Sequence, residues 1–159
     1  MDATNDTLDF TQIGNSASMK KTKETKPMTA KQKAQNDKFE QAWRFIFDCG
    51  YAAGMDVGVE PMIVSNHVNP LDDNSRVVNS YFVASGVCGF GWVQFKGNTP
   101  FGKWALATGL ARKAYPTGLA IYCHYFGQSM QRKEAWAHEV ARLLRLELNV
   151  EATGYSRMD

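Results

Sequence analysis

Between Gly86 and Asp159 the apolar positions change period several times, and each change marks an element. Val87 to Lys96 alternates in steps of two, as a half-buried strand does. Gly89 and Gly91 share a face of that strand with Val87 and Val93, while Cys88, Phe90, Trp92 and Gln94 share the other. A strand face lined with glycine predicts the close approach of another backbone, usually a helix. From Phe101 to Ala114 the spacing turns helical, with Thr99 as N-cap, Pro100 at the first position and Phe101, Trp104, Ala105 and Thr108 on one face. Leu119 to Phe126 is apolar or aromatic on both faces, which predicts an inner strand. Ser129 then caps a helix to Leu148 whose stripe is Trp136, Val140, Leu143, Leu144 and Leu148. Asn149 closes it, and Val150 to Tyr155 reads as an edge strand.

The first half of the chain is less dense. Thr29 predicts the start of a helix running to about Ala53, with Phe39, Trp43, Ile46 and Ala53 on one stripe and Gly54 as its stop. Lys31, Lys33, Lys38 and Arg44 fall largely outside that stripe. Pro61 to Val64 and Val77 to Ala84 are strand candidates on either side of a turn-rich stretch containing Asn69-Pro70 and Asp72-Asp73-Asn74. Together these elements predict an α/β (α+β) fold: a small two-layer domain in which two or three helices pack on a short mixed β-sheet. The expected organisation is a disordered basic arm over 1–28 and one domain over 29–159. The arm is too poor in large apolar side chains to bury the surface that ordering requires.

Composition narrows the class. The 159 residues suit one domain, and 44% hydrophobic content is ordinary for a globular chain. No apolar run approaches the roughly 18 residues that a membrane span needs, and the first 14 residues lack the apolar core of a signal peptide. The expectation is a soluble protein of the cytoplasm, with no membrane partner. Cys49, Cys88 and Cys123 lie far apart without a CxxC pair, which predicts reduced thiols rather than a disulfide frame.

The net charge of +2 hides a segmental pattern. Residues 19–44 hold eight bases against three acids, 45–79 hold one against five, and 80–159 hold nine against five. Surface fields are made locally, so these blocks matter more than the total.

Catalytic signatures are missing: there is no GxSxG, Walker loop, GxGxxG or HExxH. The reading therefore leans away from an enzyme, with no catalytic residue, no metal site and no cofactor assigned. An enzyme would have to use the loop of His67, Asp72 and Asp73, joined to His124 by a converging pocket. His138, between Glu134 and Arg142 at helical spacing, reads as a surface network.

The stronger signal mixes aromatic and basic residues. Trp92, Phe95, Lys96, Phe101, Lys103 and Trp104 fall close together, and Arg112, Lys113 and Tyr115 follow. Single-stranded nucleic-acid sites combine aromatic platforms with basic grooves. The candidate nucleic-acid-binding set is Trp92 or Trp104 for stacking, with Lys96, Lys103, Arg112 and Lys113 for phosphate.

Several runs also carry a resemblance. Gly86 to Val93, Gly109 to Tyr115, Gln128 to Ala135 and Tyr155 to Asp159 resemble a family of small uncharacterised tailed-bacteriophage proteins, as do Pro61 to Val64 and Asp72 to Ser75. The resemblance covers roughly residues 39–159. It implies a phage origin and no mechanism, which makes the expected cytoplasm that of the host, and it carries over no catalytic residue. The leading expectation is a phage-encoded, non-enzymatic binding or accessory protein whose partner is nucleic acid. The alternatives are a virion structural or assembly protein, held by other phage proteins, and an inhibitor of a host defence protein.

Overall fold

Thr29 and Gln32 close a reciprocal cap, and from it α1 runs over Ala30–Asp56 in a computed structural model that describes residues 28–159. The Thr29 hydroxyl accepts from the Gln32 amide at 3.3 Å, and the Gln32 side chain accepts from the Thr29 amide at 3.0 Å. Except for Met28, the expected basic arm lies outside the described residues. Two strands follow, β1 (Met62–His67) and β2 (Val77–Val83), and then β3 (Gly89–Phe95). The order continues with α2 (Pro100–Ala107), β4 (Arg112–Lys113), β5 (Leu119–Tyr122), α3 (Met130–Leu148) and β6 (Ala152–Met158). The class is α+β, as the pattern predicts.

The sheet differs from expectation. In place of one mixed sheet, the described strands form an antiparallel pair β1–β2 and a four-stranded antiparallel sheet ordered β4-β5-β3-β6. The expected helix to Ala114 ends at Ala107, because Gly109 takes φ +76° and turns the chain into β4. Thr99 caps α2 as predicted, accepting from the Gly102 amide at 3.0 Å.

Helix α3 lies directly on β3 and β6, and α1 packs on α3. The glycine-lined face of β3 is where α3 arrives. A Cβ on Gly91 would stand 2.5 Å from the Lys133 carbonyl oxygen, and one on Gly154 of β6 would stand 2.7 Å from the Ala137 carbonyl group. Only glycine admits a helix backbone this close. Gly54, expected to stop α1, is instead a buried residue inside it. A side chain there would strike the Phe126 ring and the Arg132 carbonyl of α3.

Between these layers Trp136, Ile46, Val93, Val140 and Leu144 are fully buried. Phe95, Phe101, Trp104 and Phe39 continue the core toward α2, with Phe39 centred 5.8 Å from Phe101 and 5.9 Å from Trp104. All three cysteines are free thiols. Cys123 is buried, and that burial raises its pKa. Among the described residues no helix is long and apolar enough to cross a membrane.

Candidate nucleic-acid interface

The helices cover one face of the four-stranded sheet, the side carrying Gly91, Val93, Phe95, Leu119, Ile121, Ala152 and Gly154. On the other face the register sets side chains in rows. Trp92 pairs with Tyr122 on β5 and with Tyr155 on β6, so one aromatic row crosses three adjacent strands. The rings are near parallel. Trp92 lies 6.1 Å from Tyr122 at 29° and 5.7 Å from Tyr155 at 20°. Tyr122 is 42% exposed and Tyr155 44%, while Trp92, held between them, is half-buried.

Two residues along the strands to one side, Phe90 pairs with Arg157. Strand β5 ends one level short of Phe90, while the Cys123 amide still donates to the Gly91 carbonyl at 2.9 Å. The Arg157 guanidinium and the Lys133 ammonium each lie 5.8 Å from the Phe90 ring centre. Lys133 is itself buried and donates to the Gly89 carbonyl at 2.8 Å. Two residues to the other side of the aromatic row, Gln94 pairs with Ala120 on β5 and Thr153 on β6, and Ala120 in turn pairs with Arg112 on β4. Arg112, Arg157, Phe90, Trp92, Tyr122 and His124 border one open hollow of about 480 Å³. Stacking surface and fixed positive charge therefore meet in one place.

The sequence-derived candidates divide between four places. Trp92 and Arg112 stand on the open face. Lys96 follows β3 at its edge, but its ammonium is held by the Glu151 carboxylate at 2.5 Å. That contact keeps the Glu151 carboxyl below its ordinary range, chiefly through the hydrogen bond from Lys96. Lys113 pairs with Leu119, which gives it the parity of the helix-covered face. Lys103 and Trp104 sit on α2 beside Phe39 of α1, where Trp104 is half-buried against the core and separate from the Trp92 row.

Tyr122, Tyr155 and Arg157 are the members of the face that linear clustering missed; alternation along β3 already sets Phe90 beside Trp92. The signal that finds the other three is antiparallel register, because each is aligned with Trp92 or Phe90 from a distant part of the chain.

The other chemical candidates do not assemble. The His67 Nδ1 lies 2.7 Å from the Ser75 carbonyl, and Asp72 accepts from the Asn74 amide at 3.0 Å, so both serve their own loop. The two hollows that His124 borders contain neither His67, Asp72 nor Asp73. Among the described residues no three His, Cys, Asp or Glu side chains gather as a metal site. His138 stands 3.7 Å from Glu134 as spacing suggests, but Arg142 forms its forked pair with Glu139, at 2.6 and 2.8 Å.

Fold and site together define a small α+β domain with one uncovered antiparallel sheet face that bears an aromatic row and arginines. No protein-family model, curated protein or solved structure gives a significant match to the chain.

Proposed function

We propose that the protein binds single-stranded nucleic acid on the uncovered face of its four-stranded sheet. The observation that carries this reading is the Tyr122–Trp92–Tyr155 row on the face that no helix covers. The three rings partner one another across the strands, and Tyr122 and Tyr155 still present much of their surface to solvent between two arginines. Unpaired bases stack on such rings, each contributing about 1–3 kcal/mol, whereas a duplex keeps its base faces to itself. Arg112 and Arg157 would contact the phosphates, and Lys96 contributes less because Glu151 competes for it.

On this reading the molecule is a binding factor rather than a catalyst. The resemblance to tailed-phage proteins supports a phage-encoded accessory role in the host cytoplasm.

The test is fluorescence anisotropy with labelled single- and double-stranded oligonucleotides at two salt concentrations. The full chain is run beside a form lacking residues 1–27. Preference for the single strand that survives the truncation and weakens with salt supports the sheet face. Binding lost with residues 1–27 assigns it to their lysines instead, and absence of binding at low salt ends the nucleic-acid reading.

A further inference from the structure

One edge of the four-stranded sheet is incomplete. Strand β4 pairs Arg112 with Ala120 and Lys113 with Leu119, and β5 runs on past it without a neighbouring strand. The Cys123 amide donates to the Gly91 carbonyl of β3. By antiparallel alternation the Tyr122 amide and carbonyl turn the other way, out from the bare stretch of β5. Neither has a hydrogen-bond partner among the described residues. A strand edge left in this state offers a donor and an acceptor side by side.

A hollow of about 490 Å³ lies along this edge, bordered by β5 and α1. Its size falls within the roughly 300–1,000 Å³ of small-ligand sites. Trp43 and Phe47, one turn apart on α1, line it with Tyr125, whose ring meets Phe47 edge-on at 5.1 Å. Trp136 borders it too, and its buried indole N–H has no acceptor among the described residues. The hollow therefore carries hydrogen-bonding capacity that the chain itself leaves unused. Arg112, Tyr122 and His124 border both this hollow and the one on the open face, so a path leads from the aromatic row round the β5 edge.

These groups match one kind of occupant. Each nucleobase sets a donor beside an acceptor on its pairing edge, and a main-chain carbonyl and amide complement that pair. A base taken out of its stack is held by rings around it and by hydrogen bonds to that same edge. In a single strand no base pair is broken to release it, so the cost is small. We propose that the hollow takes one base of the bound strand, turned out of line from those stacked on the Trp92 row. The Tyr122 main chain reads its pairing edge, and Arg112 at the shared rim holds the phosphate that links it to its neighbours. The inference rests on the sheet-face reading and extends it round the β5 edge.

Fluorescence anisotropy tests it, with labelled hexathymidylate and a series in which each residue in turn is abasic. The full chain is run beside Phe47→Ala, Tyr125→Ala and Trp92→Ala, with circular dichroism to show that each remains folded. Phe47→Ala and Tyr125→Ala should each weaken hexathymidylate binding by about tenfold. One abasic position should cost the parent about tenfold, and that penalty should vanish in Phe47→Ala. Binding that falls with Trp92→Ala but matches the parent in both other variants overturns the hollow and leaves the sheet face standing. An abasic penalty equal in the parent and Phe47→Ala does the same. Absence of binding, or binding indifferent to Trp92→Ala, overturns both readings.

Discussion

The two faces of β3 are made from one stretch of seven residues and could hardly differ more. Toward α3 it presents Gly89, Gly91, Val93 and Phe95, all buried; away from the helices it presents Phe90, Trp92 and Gln94. On the first face, residue size follows the distance to α3. Side chains vanish where the helix backbone is nearest, at Gly91, and return as Val93 and Phe95 where space opens toward the core. On the second face no helix sets the size of anything, and yet the rings are large and aligned. Packing against α3 explains the small residues of the first face; on the second the rings pack on one another and still leave Tyr122 and Tyr155 exposed. The proposed binding role rests on that exposure.

That contrast can be broken from either side, and the helix-covered face should give the largest effect. Gly91→Val would place side-chain carbon within the Lys133 backbone, at a position where the neighbour cannot yield. Overpacking against backbone should cost about 3 kcal/mol or more. A fall in melting temperature of about 6–12 °C in thermal circular dichroism is expected. A melting temperature unchanged from the parent would show that α3 does not rest on β3 as described.

The open face should respond in binding rather than stability. Trp92→Ala should lower single-strand affinity by roughly 10- to 100-fold, the worth of one stacked base. Its stability cost should be about 1 kcal/mol, from loss of the two cross-strand ring pairs. Loss of stability without loss of affinity would make the row structural. Arg112→Ala and Arg157→Ala should each weaken binding by about threefold and reduce the salt slope by about 1, equally for all sequences.

The smallest effect has the opposite sign. Glu151→Gln removes the carboxylate that holds Lys96, and affinity should rise about twofold. A matching pH signature follows from Lys96 lowering the Glu151 pKa. The ion pair is intact at neutral pH, and its contribution to stability is present above the ordinary glutamate pKa. That contribution is lost as pH falls through the depressed value, so Lys96 meets less competition from Glu151 for phosphate in acid. Glu151→Gln should remove this acid-dependent gain in oligonucleotide titrations, and a persisting gain would assign it to another group.

Much of the fold was legible because its signals are local. Thr99-Pro100 marks the entry to α2, the alternation around Gly89 and Gly91 marks both a strand and the approach of a helix, and Asn149, at φ 50°, ends α3. Signals depending on distant partners were misread. Gly54 looks like a helix stop until α3 is known to cross it, and strand direction depends on pairing between distant segments, which sets β5 and β6 antiparallel on either side of β3.

The candidate site followed the same division. Trp92 and Arg112 stood out in the linear pattern. Lys103 and Trp104 were grouped with them by nearness along the chain, but the turn after Phe95 carries them to α2. Tyr122 and Tyr155 join Trp92 only through strand register, which no local spacing encodes.

The most direct measurement is photocrosslinking of a 4-thiothymidine oligonucleotide to the full chain, followed by peptide mapping of the adducts. Adducts concentrated on the peptides carrying Trp92, Tyr122 and Tyr155 are the predicted result. Adducts confined to residues 1–27 or to the lysines of α1, with none on those three strands, would contradict a binding role for the open face.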